Sequence, residues 1–123
     1  MPSQVSKTDL NLWLAFVDEA KTHRLYAAYA IQAMGEGHLE AAEAFMEAAG
    51  AEIVHAMTHL KTLGAVKSTA ENLRSVVQEE AVESEQTYPR YIAEARAEGR
   101  ADAVRSFELA LARERQHIAL FQA

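Results

Sequence analysis

The chain repeats itself. An offset of 62 residues places Tyr26 on Tyr88, Tyr29 on Tyr91, Glu36-Gly37 on Glu98-Gly99, Phe45 on Phe107, Glu52 on Glu114 and His55 on His117, with no gap. The repeated unit reads as a helical hairpin, so two hairpins are expected about an approximate two-fold axis, with whatever lies near that axis built twice. Composition agrees with helix: half of the 123 residues are apolar, Ala and Glu abound, and there are only four Phe, four Tyr, one Trp and two Pro. That length suits one domain. The expectation is a single all-α domain over 1–123, with hairpin A–B at about 9–63 and hairpin C–D at about 69–121.

Local signals mark the ends of four helices. Ser6 to Asp9 and Ser68 to Glu71 have capping-box spacing, a hydroxyl followed three residues later by a carboxylate. Gly35, Gly37, Gly64 and Gly99 interrupt helical pattern where helices should stop. Helices are therefore expected at roughly 9–34, 38–63, 69–97 and 101–121. Pro89 falls inside the third and should kink it, because proline removes a ladder bond.

Several classes of function are disfavoured. With no cysteine, disulfides, thiolate zinc sites and cysteine-ligated iron–sulfur centres are absent from this sequence, which fits a reducing compartment. A net charge of −6 with dispersed Lys and Arg gives no footprint for nucleic acid or an anionic membrane. The stretch from Met1 to Leu10 is polar and no apolar run is long enough for a signal peptide or a membrane span. A cytoplasmic protein is expected.

The repeat also sets carboxylates level with one another. Glu19 lies 16 residues before Gly35 and Glu52 lies 15 after Gly37; Glu83 lies 16 before Gly99 and Glu114 lies 15 after it, with Glu80 one turn beyond Glu83. Glu52 and His55 share a helical face at i, i+3, as do Glu114 and His117. Glu-x-x-His on two helices and a glutamate on each of the others, here Glu19 and Glu80, is the ligand pattern of di-iron carboxylate bundles. By chance, 15 glutamates and five histidines would give about 0.6 such pairs. The weight therefore rests on the shared register rather than on either motif. Buried carboxylates without a cation would repel one another and take up protons, a conflict that a metal resolves. Tyr26, two turns after Glu19, and Tyr88, similarly placed after Glu80, read as phenol donors to those carboxylates. His23, one turn after Glu19, and His59, one turn after His55, could be extra ligands, but with His38 they read as residues of a solvated flank. Trp13, Phe16, Val17, Leu25, Phe45, Met57, Leu60, Phe107, Leu111 and Phe121 read as core.

The motifs together resemble the rubrerythrin family. A glutamate followed seven residues later by tyrosine appears as Glu19 to Tyr26, and the second helix carries Glu52-Ile-Val-His55-Ala56. The third carries Glu80-Ala-Val-Glu83 and then Tyr88-Pro89, preceded by Glu71-Asn72-Leu73, and Glu114-Arg-Gln-His117 completes the set. The resemblance covers roughly residues 10 to 121, and the additional Glu83 is what sets rubrerythrins apart from other members of the ferritin-like superfamily.

This resemblance implies a ferritin-like four-helix bundle holding two iron ions, oxo-bridged when oxidised, that reduces hydrogen peroxide to water. Manganese or zinc could take similar ligands. Glu52 and Glu114 would bridge, Glu19 and Glu83 would complete the first iron, and Glu80 with His117 the second. On reduction the first iron would exchange Glu83 for His55, and Tyr26 and Tyr88 would hydrogen-bond the carboxylates. Many rubrerythrins also carry a cysteine-ligated rubredoxin domain. This chain stops at Ala123 without a cysteine, so electrons are expected from a separate donor such as rubredoxin or a reductase.

The family's second and third helices run parallel and are often joined by a long crossover, whereas Gly64 to Ser68 supplies only five residues. Such a link spans at most ~18 Å against ~39 Å for a 26-residue helix. Exchange of hairpins in a domain-swapped homodimer is therefore expected, the alternative being an up-down-up-down monomer. The alternative functions are ferrous-iron oxidation or O2 handling by the same centre, and a metal-free helical interaction module.

Overall fold

The computed structural model describes residues 6–122; Met1 to Val5 and Ala123 lie outside it, and with them both ends of the expected 1–123 domain and half of the polar N-terminal stretch. The elements are α1 (Lys7–Gly35), α2 (Leu39–Leu63), α3 (Thr69–Val82), a π-helical turn (Glu83–Thr87), α4 (Tyr88–Ala97) and α5 (Ala101–Gln122). Because α3, the π turn and α4 run on without a break, the four expected helices are present to within about two residues at their ends. The chain is all-α, with no strand among the described residues. It divides between Val66 and Lys67 into two compact units, one formed by α1 and α2 and the other by α3 to α5.

Side chains at the N-caps start two of the helices. Ser6 Oγ accepts a hydrogen bond from the Asp9 N–H at 3.0 Å, and Ser68 Oγ accepts from the Glu71 N–H at 3.2 Å. The hydroxyl half of each expected box is thus formed. Asn72 reinforces the second start, accepting from the Lys67 N–H at 3.0 Å and donating to the Lys67 carbonyl at 3.1 Å. Ser68→Ala should lower stability by about 1 kcal/mol, read as a lower midpoint in urea with an unchanged slope.

The repeat is geometric as well as sequential. Gly37 at φ 81° and Gly99 at φ 72° occupy the left-handed region just past α1 and α4, where a side chain would be strained. The following N–H groups close the same wide turn, His38 donating to the Ala33 carbonyl at 2.8 Å and Arg100 to the Ala95 carbonyl at 2.9 Å. Aromatic contacts also recur: Tyr29 and Phe45 rings are 5.5 Å apart, and Tyr91 and Phe107 are 5.4 Å apart.

Two expectations need correction. The buried apolar residues are mostly alanines: Ala30, Ala33, Ala42, Ala49 and Ala56 in the first unit, and Ile92, Ala95 and Leu111 in the second. Of the large residues expected in the core only Leu111 is buried, whereas Val17, Leu25 and Met57 are exposed. Small residues let two helices approach closely, which leaves bulky neighbours outside the seam. The interruption expected at Pro89 takes the form of the π turn just before it, in which the Tyr88 N–H reaches the Glu83 carbonyl, five residues back. Proline cannot bond to the carbonyl four residues back, here that of Glu85, and crowds it; a wider turn relieves that clash.

Candidate metal centre

Each unit gathers two glutamates and a histidine from two different helices. In the first, Glu19 of α1 meets Glu52 and His55 of α2, with one potential ligand atom from each lying within 4.8 Å of the others. Helical spacing turns Glu52 and His55 to the same side of α2, with the buried Ala49 and Ala56 one turn before and after Glu52. His55 Nδ1 is 3.4 Å from Glu19 Oε1. The second unit repeats this arrangement with Glu80, Glu114 and His117, and His117 Nδ1 is 3.3 Å from Glu80 Oε1.

The equivalence corrects the levels read from the glycines. The matching turn glycines are Gly37 and Gly99, not Gly35 and Gly99, so Glu19, 18 residues back, corresponds to Glu80, 19 back. The π turn absorbs the additional residue, since it winds one more residue into a turn than an α-helix does. Glu83, at the start of that turn, is thereby an additional carboxylate with no counterpart in α1.

Glu83 is half-buried and lies beside Glu114. Burial first, and then the hydrogen bond and charge of Glu114, push its carboxyl above the ordinary 4.5. Tyr88 is close by: burial, followed by the charges of Glu83 and Glu114, raises its phenol. The ring of Tyr26 packs 6.1 Å from Phe45 as that of Tyr88 packs 6.2 Å from Phe107. In the metal-free protein a raised Glu83 binds its proton more tightly folded than unfolded. Its stabilising contribution is therefore full below about pH 4.5 and lost as pH rises through the folded value. Glu83→Gln should flatten that fall, read from urea unfolding of chelator-treated protein between pH 4 and pH 7.

Fit to a cation can be judged from the oxygens. Glu19 Oε2, Glu80 Oε2 and Glu114 Oε2 are all buried without a hydrogen-bond partner. A buried carboxylate oxygen left unpaired costs roughly 1–3 kcal/mol or more; Glu80 Oε2 and Glu114 Oε2 are what a missing cation would leave behind, whereas Glu19 Oε2 has His59 Nε2 at 3.0 Å. Hard carboxylate and borderline imidazole donors suit iron, manganese or zinc. The residues therefore fit a pair of divalent ions.

The flank reading of one residue needs correction. His59 is not a flank histidine: its side chain is 28% exposed and its Nε2 lies 3.0 Å from Glu19 Oε2, off the line of a hydrogen bond. The available signal was its place four residues after His55, on the same face of α2. His38, by contrast, is solvent-exposed beside Glu36, as expected.

Comparison with known proteins places this arrangement. The profile of the Rubrerythrin family matches residues 11–123. A rubrerythrin from Porphyromonas gingivalis (strain ATCC BAA-308 / W83) is 34% identical over 107 residues, an alignment covering 76% of this chain and 54% of that protein. The chain thus spans about half the length of that curated relative. With all-α architecture, two glutamate–histidine clusters and this match over nearly the whole sequence, the chain belongs to the rubrerythrin family.

Proposed function

We propose that the protein is a di-iron peroxidase: H2O2 takes up two electrons and two protons, the O–O bond breaks, and two waters leave. The observation that supports it best is the duplicated Glu, Glu, His cluster with its orphaned carboxylate oxygens. A bound iron pair supplies the two electrons and shares the charge that develops as the peroxide bond breaks. Glu52 and Glu114 would be shared between the two ions, Glu19 would hold the first, and Glu80 with His117 would hold the second. Glu83 and His55 would be alternative ligands of the first ion in the oxidised and reduced states. Tyr26 and Tyr88 orient carboxylates through their Oη protons.

Electrons come from a donor outside this sequence, which contains no cysteine to hold a rubredoxin-type iron. Among the described residues no helix is long and apolar enough to cross a membrane. Anaerobically reduced protein should turn over H2O2 faster than O2. Faster reaction with O2 would move the assignment to ferrous-iron oxidation by the same ligands.

The complete centre takes one cluster of each kind, and we propose that two chains supply them by exchanging hairpins. Gly64 to Ser68 link α2 to α3 with five residues that span at most ~18 Å, against ~37 Å for the 25 residues of α2. Ile53, Val54, Leu109 and Leu120 are 48%, 61%, 72% and 67% exposed, apolar area that a second hairpin would cover. Sedimentation should give a dimer; a monomeric mass at low micromolar concentration would contradict the exchange.

A further inference from the structure

His59 distinguishes two clusters that are otherwise copies of each other. The offset of 62 that carries Glu52 to Glu114 and His55 to His117 carries His59 to Phe121. Phe121 packs its ring 6.3 Å from that of His117 and has no polar atom to offer Glu80. His59 instead brings Nε2 to 3.0 Å from the buried Glu19 Oε2. The Glu19 carboxylate is thus flanked along α2 by two histidines one turn apart, His55 at Oε1 and His59 at Oε2. His55 belongs to the ligand cluster and His59 does not.

Building on the metal reading above, we propose that His59 is a positioning residue for Glu19 and makes the two metal positions unequal. One carboxylate oxygen is left for the ion while the imidazole fixes the other. Rotation of the ring about χ2, a torsion with a broad energy profile, would bring Nε2–H onto Oε2. A fixed carboxylate loses less freedom on binding a cation, and partners of this kind are worth roughly 10- to 100-fold in metal affinity. Glu80 Oε2 is equally buried, but among the described residues no second histidine stands beside it. The ion held by Glu19 therefore binds more tightly than the ion held by Glu80.

Cobalt(II) titration of chelator-treated protein, followed by calorimetry and visible absorption, tests this without reference to turnover. The wild type should bind cobalt in two steps that differ by about tenfold or more. His59→Phe, which copies the residue the repeat places at 121, should weaken the tighter step by roughly 10- to 100-fold and merge the two. His59→Gln, which keeps an N–H donor, should restore part of the difference, and circular dichroism of both variants checks their helices. Equal steps in the wild type, or a tighter step unchanged in both variants, would overturn the role of His59 and leave the metal reading standing. A wild-type protein that takes up no cobalt would overturn the metal reading and this one with it.

Discussion

Glu114→Gln should abolish peroxide turnover while making the metal-free protein more stable. Glu114 has a buried, unpartnered oxygen and lies against Glu83, whose carboxyl it pushes upward. A neutral amide of the same shape removes that repulsion. The metal-free variant should then gain roughly 1 kcal/mol, the scale of a buried polar group relieved of its mismatch. Metal binding moves the other way, because an amide oxygen is a weak ligand and cannot bridge two cations as a carboxylate does. Loss of the Lewis-acid contribution is worth several kcal/mol, so kcat/KM for peroxide should fall about a thousandfold or more. Glu52→Gln should lose as much activity with a smaller gain in stability, since neither Glu52 oxygen is among the buried, unpartnered ones. Opposite signs in the two assays mark a carboxylate retained for its ligand; a residue serving only the fold would lose stability as well.

Removing metal should lower the melting temperature by roughly 10–20 °C. The apolar core of each unit is thin, made mostly of alanines in the first and of Ile92, Ala95 and Leu111 in the second. Repulsion between Glu83 and Glu114 in the second unit further weakens the metal-free state. A cation that binds the folded protein alone adds about 4 kcal/mol at a free concentration a thousand times its dissociation constant. For a chain of this length each kcal/mol corresponds to a few degrees. Protein concentration must be held constant, because a dimer's melting temperature depends on it. Variants lacking Glu19 or His117 should show a much smaller shift, and an unshifted wild type under saturating iron would argue that the clusters are not built around an ion.

Much of this could be read in the sequence because the same information was written twice. The register that joins Glu52-x-x-His55 to Glu114-x-x-His117 survives in the structure as two clusters of the same composition. The glycines at 37 and 99 and the serines at 6 and 68 set helix ends through backbone conformation and capping, which are local properties and so legible. What was not legible depended on geometry beyond the α-helical period. A π turn changes the period for one turn only, so counting residues from the glycines set Glu83 level with Glu19, although the ligand pattern already paired Glu19 with Glu80. Apolar pattern marked Val17, Leu25 and Met57 as core although the helix seam is built from alanines. His59 looked like a surface residue because its partner, Glu19, is 40 positions away on another helix.

Metal content per chain tests the central claim most directly. The protein would be produced in iron-supplemented medium, analysed for iron, manganese and zinc, and its absorption recorded reduced and again after addition of hydrogen peroxide. The account predicts near two irons per chain, or one pair per complete centre, and a bleached reduced form whose near-ultraviolet charge-transfer absorption returns with peroxide. Absence of stoichiometric metal after careful reconstitution would contradict it, leaving the acidic clusters without the ions that explain them.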